Sequence, residues 1–247
     1  MDVEGLCGNP ESASERPPSG AAAVQVAVWF RIGGLLRFLS HAETLRVCQR
    51  ACARAGVPVK HTMGFNPHPR LSLPLPRSVG VESDDELLVI WLSSEWDGPE
   101  DFRTSEERAT QIGQALQREL PVGIEVLRVK LAVPGVSFQA RSADYLFRYG
   151  SDRSADFLDA LEGRVRGIMD STGLTVERKL PGDRRARRID VRPFIESIQP
   201  AGDGLVVRCN VTAAGSIRIG EILQLLELKT EDLAAPVRRT DVKWVAT

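Results

Sequence analysis

The sequence predicts an α+β fold of two ferredoxin-like (βαββαβ) domains in tandem, behind a disordered N-terminal tail. Three observations predict it. Residues 24–133 show strand, helix, strand, strand, helix and strand patterns in that order. Residues 143–245 repeat the order with one strand more. Residues 1–22 are rich in Pro, Gly, Ser, Glu and Ala and read as disordered. The expected boundaries are 1–22 for the tail, 23–133 for the first domain, 134–141 for a linker and 142–247 for the second domain.

Each element has a local cause. Val24, Val26, Val28, Phe30 and Ile32 alternate with Gln25, Ala27, Trp29 and Arg31, the period of a strand with one buried face. Gly33-Gly34 then forms a turn. Ser40-His41-Ala42-Glu43 fits a capping box that starts a helix. Leu45, Cys48, Cys52 and Ala55 follow as its apolar stripe, and Gly56 stops it. Val57–Thr62 reads as a short strand, placed at an edge by Pro58. Residues 63–69 form a Gly/Asn/Pro-rich loop, Leu71–Leu75 is extended, and Glu86–Leu92 is a buried strand. A helix from Thr104 to Leu120 repeats the capping-box spacing with Thr104 and Glu107, and Ile124–Val133 closes the unit. In the second half, strands are expected over 143–149, 174–180, 189–195, 205–212 and 237–245. Helices are expected around 157–168 and 219–226.

Bulk properties exclude several classes. The chain has 247 residues, 43% of them hydrophobic and 26% charged, which is ordinary for a globular protein with a real core. No apolar stretch is long enough for a membrane span, and no signal peptide is visible, so the expected location is the cytoplasm. The net charge of -1 predicts no partner by itself, but the distribution does more. Between Arg31 and Arg77 there are eight basic residues against one acid, Glu43, and all three histidines (His41, His61 and His68) lie in the same stretch. A second basic cluster runs from Arg178 to Arg192. Two basic patches on a neutral chain either attract polyanions or are solvated faces balanced elsewhere.

Four runs of residues are distinctive: Phe38-Leu39-Ser40-His41, Arg50 to Pro58, Gly64-Phe65-Asn66-Pro67-His68-Pro69, and Gly80-Val81-Glu82-Ser83. Together with Asp190-Val191-Arg192-Pro193 they resemble the radical-SAM-linked protein family, a bacterial domain of unknown function. Members are often fused to, or encoded beside, a radical-SAM enzyme, sometimes near RNA-processing and ribosomal genes. The resemblance implies a separate radical-SAM enzyme as partner and a role in modifying RNA or a translation component. Where the family usually has Leu-Asp after Ser-His, this chain has Ala42-Glu43, a change that suits a helix cap better than a metal ligand.

The chain itself does not carry radical-SAM chemistry. A four-iron cluster needs C-x3-C-x2-C, and while Cys48 and Cys52 have the first spacing, residue 55 is alanine. Both thiols fall on the apolar stripe and read as buried structural cysteines. The histidine spacings match no standard metal site, so no metal and no cofactor are expected. The loop Gly64–Pro69 is stiffened by two prolines and presents Phe65, His68 and Arg70, as binding loops do; the alternative is a stiff connection. Trp29 and Arg31 fall on the sheet face away from the helices, where aromatics can stack bases, unless that face packs on the second domain. Arg37, Arg50 and Arg54 are candidate phosphate contacts.

Three readings follow. The leading one is a non-catalytic accessory protein that binds RNA, or an RNA-bound particle, and presents it to a radical-SAM enzyme. Its binding residues would be Trp29, Arg31, Arg37, Ser40, His41, Arg50, Arg54, His61, Gly64 to Arg70, Glu82, Ser83, Asp190 and Arg192. No membrane and no sequence-specific DNA contact are expected. The second is a metal-independent RNA endonuclease in which His41 or His68 is the general acid or base. The third is a protein-docking module for the radical-SAM partner that never touches RNA.

Overall fold

The computed structural model describes residues 24–93, 105–132, 135–179 and 185–247. The expected tail, Cys7, the Thr104 cap, the start of the linker and the middle of the second basic turn lie outside them. The described residues form a mixed α+β fold: a large mixed sheet, a separate two-stranded hairpin and four α-helices. No helix among them is long and apolar enough to cross a membrane.

In the first half, β1 (Gln25–Ile32) leads through a 3-10 turn at Gly34–Phe38 into α1 (His41–Arg54). Next come the two-residue β2 (Leu71–Ser72), β3 (Glu82–Trp91), α2 (Ser105–Glu119) and β4 (Ile124–Ala132). The second half runs β5 (Phe138–Arg148), α3 (Ala155–Asp170), β6 (Thr175–Arg178), β7 (Arg187–Asp190), β8 (Ile195–Ala201), β9 (Gly204–Asn210), α4 (Ile219–Leu225) and β10 (Arg238–Ala246). The eight-stranded sheet has the order β4-β1-β3-β10-β5-β9-β8, with β2 on the outer edge of β3.

The cause of each first-half element is visible in the packing. Val26, Val28, Phe30 and Ile32 of β1 join Leu88 and Ile90 of β3 and Ile112 and Leu116 of α2 in one core. Cys48, Ala51 and Cys52 bring α1 onto the same face. Ser40 caps α1 through its hydroxyl, which accepts from the Glu43 N–H, while the Glu43 carboxylate accepts from the Ser40 N–H at 2.8 Å. Gly56, at φ +66, supplies the left-handed residue that ends the helix.

Several expectations change. Residues 57–62 form isolated bridges, Val59 to Leu92 and His61 to Pro69, rather than a strand, because Pro58 removes a ladder donor. Half of the expected linker is strand: β5 already starts at Phe138, whose ring packs edge-on against Trp29. One strand, β8, has no sequence forecast. It is an edge strand with a bulge between Ile195 and Ser197 and a proline at 200, and both erase the period-two pattern. The hairpin of β6 and β7 stands apart from the main sheet.

The two halves share that sheet instead of forming separate ones. β3 and β10 are joined in parallel only at Arg238–Glu82 and Arg239–Ser83. Beyond that point the Asp85 carboxylate bridges the strands, accepting from the Val242 N–H at 3.1 Å and the Trp244 indole N–H at 3.2 Å. Burial pushes the Asp85 carboxyl above its ordinary range. At the seam the fully buried Arg239 donates to Glu86 and, at 3.3 Å, to the Ser83 hydroxyl.

Candidate functional site

The stretch from Arg31 to Ser83 does not fold into one surface. β3 carries its parts at opposite ends: Glu82 and Ser83 at one, and Ile90, which pairs with Leu71, at the other. Seven residues of strand put these ends roughly 23 Å apart. The candidate residues therefore sort into two groups.

The first group gathers at the start of β3. Arg77 is buried, and its guanidinium donates to the carbonyls of Leu36, Arg37, Leu39, Ser78 and Val81. This one side chain knots the 3-10 turn to the Gly80-Val81 turn. Glu82 adds a second tie, accepting from the Gly34 N–H at 3.0 Å and from Arg238. Burial lowers the Arg77 pKa, and Arg239 nearby adds to the effect. Ser83, offered as a binding residue, is buried and its hydroxyl is taken by Arg239. Ser40 acts as a cap, and His41 sits in the first turn of α1 with a buried Nδ1 that has no partner among the described residues. Arg37 lies over the Phe38 ring at 4.2 Å. Arg31 pairs with Glu125 at 3.3 Å on an exposed edge.

The second group surrounds the Gly64–Pro69 loop. Its base is pinned to β3: Lys60 N–H donates to the Trp91 carbonyl at 2.7 Å, Arg70 N–H to Lys60 at 2.7 Å, and Trp91 N–H to Arg70 at 3.1 Å. Thr62 N–H donates to the His68 carbonyl at 2.9 Å, and His68 N–H returns a bond to the Thr62 hydroxyl at 3.0 Å. Arg70 covers the Trp91 ring at 4.7 Å. Gly64, at φ +131, turns the tip, and residues 61–68 are all exposed. Met63 is 97% and Phe65 111% exposed, so two apolar side chains stand clear of the body of the protein. His61, Asn66, Pro67, His68 and Arg70 flank them. Arg50 of α1 is exposed, without an ion pair among the described residues.

Other candidates are corrected by their surroundings. Trp29 is only 7% exposed, covered by Arg128 at 3.9 Å from its ring and by Phe138, and so offers no stacking face. The sheet face that carries it packs with Phe138 and Trp244 of the second half. Arg54 is held by Glu119, at 2.9 Å to the carboxylate and 2.6 Å to the carbonyl, and serves the α1–α2 packing. Asp190 accepts from the N–H groups of Leu174 and Arg192, and Arg192 donates to the carbonyls of Met169, Ser171 and Ile195. That motif is a structural lock. Arg178, at the start of the second basic cluster, is buried against Glu221 with two bonds of 2.6–2.7 Å. His41 and His68 fall in different groups. The described residues contain no cluster of three or more His, Cys, Asp or Glu able to hold a metal.

The model of a family described as an uncharacterised protein conserved in bacteria (DUF2344) matches residues 25–227. The chain belongs to that family. The matched span opens at β1 and closes just beyond α4, so DUF2344 takes in both groups of candidate residues. No protein of curated function matches the chain.

The seam residues are the ones that sequence reasoning missed. Glu86 carried a usable signal, since it shares the parity of Leu88 and Ile90, and a charge at a core position needs a buried partner. Nothing local in the sequence identifies Arg77 and Arg239 as its neighbours, at 3.9 Å for Arg77.

Proposed function

We propose that this DUF2344 protein is a non-catalytic accessory protein that binds RNA, or an RNA-bound particle, through its Gly64–Pro69 loop and presents it to a separate radical-SAM enzyme. One observation carries the reading: Phe65 and Met63 stand fully in solvent on a loop whose base is fixed to β3. Exposing two large apolar side chains on a rigid support has no folding benefit, and it suits a contact made with something else. Phe65 provides a ring for base stacking; Lys60, Arg70 and the exposed Arg50 provide charge for phosphates. The sequence resemblance supports the radical-SAM enzyme as the partner, and this loop is one of the runs it rests on.

The same proposal takes each half as a ferredoxin-like unit, 23–133 and 142–247, fused edge to edge. Two strand orders support this. β4-β1-β3-β2 and β10-β5-β9-β8 are each fourth-first-third-second when the β6–β7 hairpin is left out, and every neighbouring pair within them is antiparallel.

Filter binding of the full chain to total cellular RNA from about 50 to 200 mM salt tests the function. Binding should weaken steeply with salt and fall about tenfold in Phe65→Ala, the loss of one stacked base. Absence of binding at low salt sinks the RNA role. The exposed Met63–Phe65 pair would then mark a protein-docking loop, and capture of the radical-SAM enzyme by wild type but not by Phe65→Ala would establish it.

A further inference from the structure

At the end of β3 remote from the loop, the two halves line a cavity of about 810 Å³ that is open to solvent on one side. Its volume lies within the range of sites for small ligands, about 300–1,000 Å³. One wall is the first-half knot, with Arg37, Phe38 and residues 76–81; the other is residues 216–220, Leu223, Thr230 and residues 233–237 of the second half, and Tyr145 of β5 also lines it. Three arginines line it (Arg37, Arg77 and Arg218) and no acidic residue does. The rest of the lining is largely apolar, including Val81, Ile217, Leu223, Leu233 and Val237.

The three cations differ in what they offer. Arg77 has its donors on backbone carbonyls, so it contributes a fixed positive field and not a contact. Arg37 is held against the Phe38 ring and tied to the Gly34 carbonyl at 2.8 Å, which orients its guanidinium on the wall. Arg218 faces it from the opposite half and is exposed. Phe38 is 54% exposed beside Arg37, an aromatic face next to a cation. A guanidinium fork matches phosphate oxygens, and apolar walls take a ring.

We propose that this interdomain cavity binds a small amphiphilic anion, a heterocyclic ring carrying a phosphate, of the size and chemistry of a nucleoside monophosphate. Arg37 and Arg218 grip the phosphate from the two halves, and the ring lies among the apolar residues. The site is separate from the loop and does not depend on the RNA reading. Its occupation bridges the two halves, so the ligand would also stiffen the seam.

The test is calorimetric titration of the full chain with AMP, GMP, CMP and UMP in turn, with adenosine and inorganic phosphate as controls. At least one nucleotide should bind, and both controls should bind at least tenfold more weakly than it. Binding should fall at least tenfold in the Arg37→Ala/Arg218→Ala variant. It should fall likewise in Gly220→Phe: Gly220 lines the cavity, and a Cβ there would meet nothing within 4 Å, so the added ring plugs the site without a clash at its root. Phe65→Ala should bind the nucleotide as wild type does. The proposal is overturned if none of the four binds, if inorganic phosphate binds as tightly, if both cavity variants retain wild-type affinity, or if Phe65→Ala alone abolishes binding.

Discussion

Arg77 places its Nη1 2.8 Å from the carbonyl oxygen of Arg37, forty residues earlier in the chain. The bond is one of five that a single buried guanidinium makes to carbonyls, and together they hold the 3-10 turn, the start of β3 and the cavity wall in one piece. Lysine cannot replace it, because one ammonium point cannot reach a fan of acceptors that a planar fork can. Arg77→Ala and Arg77→Lys should each lower the unfolding free energy by at least about 3 kcal/mol, as expected when a buried, multiply bonded charge is removed from its partners. Urea denaturation followed by circular dichroism checks this. A loss below about 1 kcal/mol would mean that the carbonyls find water instead.

Glu86 stands between Arg77 and Arg239 in the seam, the only acid among the described residues with both as close partners. Glu86→Gln keeps the shape and removes the charge, leaving two buried cations facing each other. It should destabilise by about 3–5 kcal/mol, the usual effect of breaking a buried ion pair from one side. Glu86→Gln/Arg239→Met should recover part of the loss by removing the orphaned charge. A double-mutant cycle read by chemical denaturation decides the point.

Cys48, Cys52 and Cys209 are buried and free, and burial pushes each thiol from an ordinary 9.0 up to about 12. The native state therefore holds protons that the unfolded state gives up first. That contribution to stability is full below pH 9 and is lost as the pH rises from about 9 towards about 12. Denaturation midpoints should fall steadily across that window, and a Cys48→Ala/Cys52→Ala variant should show a shallower fall. At pH 8, iodoacetamide followed by peptide mapping should leave all three thiols unlabelled until denaturant is added.

The parts of the fold that read clearly from the sequence have local causes. The Ser40–Glu43 cap, the Cys48–Cys52 stripe and the two faces of β1 follow from spacing along one segment, and the structure repeats them, though both faces of β1 are buried. β8 stayed hidden because its bulge and proline break the alternation that marks a strand. The fate of Trp29 was open for a different reason. Its alternation placed it on the correct face, but what covers that face, Phe138 and Arg128, is set by long-range pairing. The candidate site divided in two for the same reason. Arg31 to Ser83 is contiguous in the chain, yet β3 spans the length of the sheet and carries the two groups to its opposite ends. The cavity drew on residues 216–237, which carried no motif at all.

The Asp190–Arg192 lock gives a prediction that separates structure from binding. Asp190 accepts two backbone N–H bonds, at 2.7 Å from Leu174 and 3.0 Å from Arg192, and these hold its carboxyl below the ordinary carboxylate range. A depressed acid contributes stability above its unfolded value of 3.8, and that contribution is lost as the pH falls through the folded value. Wild type should therefore lose stability on acidification more steeply than Asp190→Asn, which has no charge to lose. Arg192→Ala removes donors to three carbonyls and should cost about 1–3 kcal/mol at neutral pH. Neither variant touches the loop, so once both are folded their RNA affinity at 100 mM salt should match that of wild type within about twofold, while Phe65→Ala falls about tenfold. If Arg192→Ala lost RNA affinity while its unfolding midpoint stayed unchanged, the lock would be a contact surface after all, and the binding site would extend into the second half.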